Sequence, residues 1–297
     1  MNDRLKFSVI IPTHNRHESL RACLQSLSMQ NYPKSDYEVI VVDDACIPPI
    51  QDSIQAEFPE TNVLLLRIMQ NEGPSAARNR GVESAHGCYL AFTDDDCVPD
   101  PNWLANLESA LAAVAAGAVG GPILDGGKSL FSSASHAVLS AVYEYYNAPD
   151  GSPRFFGSGN LAVPAVEFRN VGGFNPEFRT SEDREFCARW LRCGYRLVFA
   201  SEAAVVHRPP NGCGRFLRRH YHYGKGAYRF WALQAKIRKR PMELEPRSFY
   251  WQLLRHPMRS GRGVRGIAIS FLVAISQLAS LLGFLLERRR FKQIRRR

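Results

Sequence analysis

An α/β fold with a mostly parallel sheet flanked by helices is what this sequence predicts, and three observations predict it. Residues 7–11, 39–42, 63–66 and 88–92 are short, nearly continuous apolar runs with helical patterns between them. Strands without polar alternation belong to a parallel sheet covered on both faces. Two of the runs end in carboxylates, Asp43 with Asp44 and Asp94 with Asp95 and Asp96. Open α/β sheets bind their ligands beyond the carboxyl ends of the strands. The charge is also divided: residues 1–207 carry 16 Lys and Arg against 25 Asp and Glu, whereas residues 208–297 carry 22 against 3. The basic part must meet something anionic, either nucleic acid or a membrane surface.

At 297 residues and 45% hydrophobic content, the chain holds one large domain or one domain with an appendage. The seven cysteines are odd in number and lack paired C-x-x-C spacing. Reduced thiols of a cytosolic protein are therefore expected, without a disulfide frame or zinc site. The first residues run straight into a strand, and no signal peptide is expected.

Taken in order, residues 7–11 form a β-branched strand that Pro12 ends. An amphipathic helix follows over 17–29, with Leu20, Leu24 and Leu27 at helical spacing. The strand 39–42 stops at Asp43 and Asp44, and a short helix near 50–57 leads to the strand 63–66. Asn71, Gly73 and Pro74 break the chain, and a helix opens with Pro74 as its first residue. The strand 88–92 then delivers the Asp triplet. Asp94 and Asp96 set two hard oxygen ligands side by side, suited to Mg²⁺ or Mn²⁺. The alternative reading of the same triplet is an acidic turn that caps a helix begun by Pro99 and Pro101.

Asp43 at a strand end is placed to accept from a nucleobase N–H, or to cap its own turn. Gly73 permits close backbone approach, and the helix start with Arg78 offers donors to a diphosphate; a tight helix entry explains the same residues. Residues 157–163 and 172–175 are turn-rich and read as loops lining a cleft, with Gly159 and Asn160 on an acceptor side. Thr180 to Asp183 fits a capping box, and Asp183 fits equally a general base for an acceptor hydroxyl. His207 ends an apolar strand over 205–207 and is a candidate ligand for the proposed metal.

The ordered set VIIPTHNR at 9–16, VVDD at 41–44, NEGPSAARNRG at 71–81, FTDDD at 92–96 and SED at 181–183 resembles the inverting, nucleotide-sugar-dependent glycosyltransferases of family 2. The likeness covers roughly residues 5–210. It implies the GT-A fold and roles residue by residue. Pro12, Thr13 and Arg16 border the nucleotide, with Asn71 and Gly73 in the donor-side loop; Asp43 reads the base and Arg78 lies near base and diphosphate. Asp94 and Asp96 are the ends of the DxD metal motif, with Asp94 also toward the donor. Asp183 is the base, ahead of Glu182, and His207 completes the metal shell. Cys187-Ala188-Arg189-Trp190 lacks the Gln of the processive synthases' Q-x-x-R-W motif, so a single-addition enzyme is expected.

Residues 267–286 are 20 residues without a charge, between Arg262 and Arg265 on one side and Glu287 to Arg290 on the other. At about 1.5 Å per residue they just span a hydrocarbon core of about 30 Å. Ser270, Ser276, Gln277, Ser280 and Gly283 share one side, so spanning, lying in the interface and packing as a core helix are all open. The division read from the sequence is a catalytic domain over 1–210, a basic membrane-proximal helical segment over 211–263, and a hydrophobic helix with a basic tail over 264–297. The expected partners are a nucleotide-diphosphate sugar, a lipid-linked or glycan acceptor and the membrane, with the catalytic domain on the cytoplasmic side. A nucleotidyltransferase would place a Gly-rich loop where Pro12 to Arg16 stands. A nucleic-acid-binding protein would need neither the Asp triplet nor the Ser-Glu-Asp motif, and no nucleic acid is expected.

Overall fold

The computed structural model describes residues 5–51, 53–114, 116–147, 152–209, 212–259 and 263–294. Contacts divide the chain into two compact units, Met1–Leu124 with Gly151–Arg208, and Asp125–Asp150 with Pro209–Arg297. The segments 211–263 and 264–297, read separately in the sequence, fall in one unit.

The four anticipated strands form as β1 (Phe7–Thr13), β2 (Tyr37–Asp44), β3 (Val63–Ile68) and β4 (Tyr89–Thr93), with α1 (His17–Ser28), α2 (Ser53–Ala56) and α3 (Pro74–Glu83) between them. Beyond them come β5 (Cys97–Pro99), α4 (Trp103–Ala112), β6 (Ala118–Gly120), β7 (Ile123–Asp125) and α5 (Leu130–Tyr146). Then follow β8 (Asn160–Pro164), α6 (Ala165–Val171), α7 (Glu182–Arg192), β9 (Leu197–Phe199) and β10 (Val205–His207).

The main sheet has seven strands in the order β3-β2-β1-β4-β8-β6-β9, and a small sheet has the order β5-β10-β7. Parallel pairing joins β1 to β2 and β4, β2 to β3, and β6 to β9. Only β8 runs against its neighbours β4 and β6 in that sheet. Residues 160–164, expected in a loop, are thus a strand in the middle of the sheet. Leu161, Ala162 and Val163 are fully buried, and the flanking Gly157 and Gly159 hid that short run.

The strand order reverses at β1, so the gap between β1 and β4 is the switch point where such sheets bind ligands. Register opens that gap. β1 stays beside β2 as far as Thr13 opposite Asp43, but beside β4 only as far as Ile10 opposite Phe92. Pro12 sits inside β1 and does not end it; proline is tolerated where a strand has lost a neighbour to bond.

One face of the sheet packs Phe7, Val9 and Ile11 against Leu20, Leu24 and Leu27 of α1 and Trp103, Leu104 and Leu107 of α4. Elsewhere in this unit Phe92, Phe168, Phe174 and Phe186 stack in a ring cluster with centroids 5.0 to 5.4 Å apart. Such tilted and edge-on pairs each add about 0.5–1.5 kcal/mol beyond the area they bury.

The second unit is helical, with α5 joined by α8 (Cys213–Arg238), α9 (Arg247–Arg259) and α10 (Gly263–Ile294). Its core is built from Ala134 and Ala137 of α5, Phe216 of α8, Phe249 and Leu253 of α9, and Ile269 and Val273 of α10. The basic segment over 211–263, expected to be helical, supplies α8 and α9, α9 carrying an apolar stripe of its own. Its buried Phe249, Leu253 and Pro257 recur every fourth residue, a stripe diluted in the sequence by arginines. Small residues let α8 and α10 touch backbone to backbone: a Cβ on Gly224 would lie 1.8 Å from the Ser280 carbonyl oxygen, and one on Gly283 2.0 Å from that of Tyr221. Arg262 and the last three residues of the basic tail lie outside the described residues.

Candidate functional site

The Asp triplet leaves β4 at the mouth of the β1–β4 gap, and its three carboxylates divide the work. Asp95 turns inward. It is buried and accepts hydrogen bonds from Thr13 Oγ1 at 2.8 Å and Arg16 Nη1 at 2.8 Å. Burial, opposed by Arg16 and reinforced by Asp96, pushes its carboxyl up to about 6. Thr13 and Arg16, expected along a nucleotide, are therefore fastened to the triplet, and Pro12 lies half-buried between β1's core and that loop.

Asp94 is the one of the three that reaches solvent, its side chain 34% exposed, whereas Asp96 is buried like Asp95. Asp96 accepts from Arg16 Nη1 at 2.9 Å, and its Oδ1 lies 3.3 Å from His207 Nε2. Antiparallel pairing places that histidine, since β10 sets His207 opposite Cys97 of β5 and Arg208 N donates to the Asp96 carbonyl at 2.7 Å. Ligand atoms of Asp94, Asp96 and Cys97 lie within 4.8 Å of one another. The two carboxylates fit a hard divalent cation. Cys97 suits it less well, because a thiol is a softer ligand than such a cation prefers; burial raises that thiol well above its usual range.

Arg78 bridges two motifs that are 88 positions apart in the chain, Asp94 and Glu182. Its Nη2 donates to Asp94 Oδ1 at 2.5 Å and its Nη1 to Glu182 Oε1 at 3.0 Å, and the guanidinium lies 5.6 Å from the Phe174 ring centroid. Arg78 was expected to reach a diphosphate; here it is buried and both terminal nitrogens are committed to carboxylates. The bond to Glu182 is strong because it is charge-assisted on both sides and shielded from water.

Glu182 and Asp183 open α7. The capping box does not form: the N-cap is Ser181, in a left-handed conformation with φ 65°, so the helix starts one residue later than the T-x-x-D spacing requires. Asp183 instead accepts the N–H of Arg184 at 2.7 Å. Burial first, and Glu182 beside it second, push its carboxyl up to about 7.

The two aspartates ending β2 point opposite ways, as successive strand residues must. Asp43, expected to read a base, is fully buried, and its oxygens accept the N–H groups of Cys46 at 2.7 Å and Ile50 at 3.0 Å. It folds its own loop. Asp44 does the same for the loop after β3, accepting from Glu72 N, Gly73 N and Asn71 Nδ2 at 2.8 to 3.0 Å. Gly73 follows with φ 92°, and Asn71 Oδ1 receives Arg179 Nη1 at 2.9 Å. Asp44→Ala leaves two backbone donors without their acceptor, and a loss of about 2 kcal/mol is expected in denaturant unfolding. Asp44 and Arg179 were missed as site-builders; the parity of Asp43 and Asp44 along a strand was the available signal.

Asn160 corrects the sequence reading. It is fully buried; its Oδ1 accepts Trp103 Nε1 at 2.9 Å, and its Nδ2 donates to the carbonyls of Pro122 and Ala203. A side chain so occupied meets no acceptor. Gly159 does border the site: a Cβ there would stand 3.0 Å from Asp94 Oδ2.

The family description "Glycosyl transferase family 2" matches residues 8–166, and "Glycosyl transferase family group 2" matches residues 89–287. Among curated relatives, glycosyltransferase AglE of Haloferax volcanii is 31% identical over 242 residues, covering 78% of this chain and 77% of AglE. The pre-mycofactocin glycosyltransferase of Mycobacterium tuberculosis is 28% identical over 229 residues, 74% of this chain but 46% of that enzyme. Among solved structures, the mannosyltransferase PcManGT from Pyrobaculum calidifontis in complex with GDP-Man and Mn²⁺ has a TM-score of 0.62 at 18% identity, over 93% of this chain and 74% of the other. S. aureus TarS 1–349 in complex with UDP has a TM-score of 0.52 at 15% identity, over 97% and 92%. At such identities the structural likeness carries the fold alone, and that fold is GT-A.

Proposed function

The chain belongs to glycosyl transferase family 2 and is a glycosyltransferase, and from that premise we propose that it moves a sugar from a nucleoside-diphosphate donor to a hydroxyl of a lipid-linked or glycan acceptor, in one inverting displacement at a membrane. What carries this reading is Arg78, which holds Asp94 and Glu182 as two ends of one cluster. A leaving-group side and an acceptor side are then a single guanidinium apart.

PcManGT holds GDP-Man with Mn²⁺ and TarS holds UDP, which supports a nucleoside-diphosphate sugar as donor here. Asp94 and Asp96, with His207 beside Asp96, would hold Mg²⁺ or Mn²⁺. A divalent cation there supplies charge neutralisation for the departing diphosphate. Arg16 and Arg78 add fixed positive charge around the same carboxylates. Asp183, next in the chain to Arg78's partner Glu182, takes the proton of the acceptor hydroxyl as that oxygen attacks the sugar C1. No covalent nucleophile enters a one-step inversion.

All seven cysteines are free thiols, in keeping with a reducing, cytoplasmic side for the catalytic unit. Membrane association is supported by α10, the one described helix long and apolar enough to cross a bilayer.

The test is a panel of nucleotide sugars incubated with the detergent-purified full chain and Mn²⁺ or Mg²⁺. Slow release of one nucleoside diphosphate, suppressed by EDTA, is expected. If no nucleoside diphosphate bound in the presence of either metal, the reading would be abandoned.

A further inference from the structure

We propose that α10 lies flat in the headgroup region of an anionic bilayer, its outer face serving as a lipid-docking surface, and does not cross the membrane. The inference rests on the membrane reading above and decides how that membrane is met.

The helix buries a mixed side and exposes an apolar one. Gly266, Ile269, Val273, Ser276, Gly283 and Glu287 are its buried positions, spaced three, four or seven apart along its length. Ile267, Phe271, Leu278, Leu281, Leu282 and Leu285 are 43 to 67% exposed. At about 100° per residue the two sets fall on opposite sides of the helix. The face turned outward is thus more apolar than the face turned inward, an arrangement that suits hydrocarbon and not water.

Spanning is excluded by what the inner face holds. Helix α8 packs along α10 through Gly224 against Ser280 and Gly283 against Tyr221. Farther along, Arg229 and Lys225 pair with the buried Glu287. If α10 crossed the bilayer, it would drag this stretch of α8 with it. That stretch carries Arg215, Arg218, Arg219, Lys225 and Arg229, and each charge at the centre of a bilayer opposes insertion. An in-plane helix keeps α8 on the water side.

Charge identifies the occupant. Arg265 stands near the start of α10, and the exposed Arg288, Arg289 and Arg290 near its end. On α9 the exposed Trp251 sits among Arg255 and Arg259, the amphipathic ring and cation pairing favoured at headgroup level. A second copy of the chain docked on this face would set these arginines against one another, whereas an anionic lipid surface answers them.

The experiment uses the full chain, with sedimentation on vesicles of phosphatidylcholine alone or with phosphatidylglycerol. Binding to the anionic vesicles is expected, weakened by salt. The Phe271→Glu/Leu278→Glu double variant should bind about a hundredfold more weakly while nucleoside-diphosphate binding is kept. Circular dichroism checks that the variant is folded. Fluorophores on Val264→Cys and Gln293→Cys, with Cys193 and Cys213 replaced by Ser, should both be quenched by external dithionite on sealed vesicles. Protection of one label would establish spanning and overturn the proposal while leaving the membrane reading intact. Absence of vesicle binding, or a dimer that the double variant dissolves, would overturn it as well. Loss of nucleotide binding in the wild type would instead strike the glycosyl-transfer reading.

Discussion

Arg78→Met is expected to lower the unfolding free energy of the full chain by about 3–5 kcal/mol, the range for a buried ion pair deprived of one partner. The arginine side chain is 3% exposed and that of Glu182 9%, against 34% for Asp94. The penalty therefore falls mainly on Glu182, which would be left in a dry site with its cation gone. Asp94 reaches water and is compensated in part. A double-mutant cycle separates these effects: Arg78→Met with Glu182→Leu should recover much of the loss, because an apolar pair of similar volume fills the site without a stranded charge. Denaturant unfolding of the four proteins measures the coupling. A single-variant loss below about 1 kcal/mol would mean that the bridge does not organise the site.

How far the sequence could be read follows from what each residue faces. The strands β1, β2 and β4 were legible because burial on both faces leaves unbroken apolar runs, and the half-buried edge strand β3 keeps such a run at residues 63–66; that signal needs no partner to be seen. β8 was not, since its neighbours Gly157 and Gly159 read as turn, and only the antiparallel pairing with β4 and β6 shows that the run between them is core. The Asp triplet announced a site, yet the division of labour within it was hidden. Which carboxylate turns inward depends on Thr13 and Arg16 arriving from β1, a contact between residues about eighty positions apart. Asn160 shows the opposite failure: a polar residue in a Gly-rich stretch looks like a ligand contact until Trp103 and two carbonyls claim it. In the second unit the apolar run of α10 was plain, but its Leu- and Phe-rich side is the exposed one, while Gly, Ser and Glu share the buried side with Ile269 and Val273. Hydropathy alone ranks the faces the other way.

Asp183→Asn is expected to lower turnover by about 10²- to 10⁴-fold, the usual contribution of a positioned general base, with nucleoside-diphosphate affinity unchanged. Two carboxylates compete for this role at the start of α7, and their partners separate them. Glu182 accepts Arg78 Nη1 at 3.0 Å, which occupies its carboxylate. Among the described residues no basic side chain lies within ion-pair distance of Asp183, and burial with the neighbouring Glu182 pushes its carboxyl up to about 7. Turnover should accordingly climb as pH rises through about 7 and level off above it. Stability carries the opposite sign. A carboxyl whose folded value lies above its ordinary 3.8 binds its proton more tightly when folded, so its contribution falls as pH rises from about 4 to 7. Asp183→Asn should therefore be more stable than the wild type at pH 8 and show no such gain at pH 4, even as it loses turnover. Melting curves at the two pH values, beside a pH–rate profile, test both limbs. If Glu182→Gln lost turnover to the same degree while Asp183→Asn kept it, the base would move to Glu182.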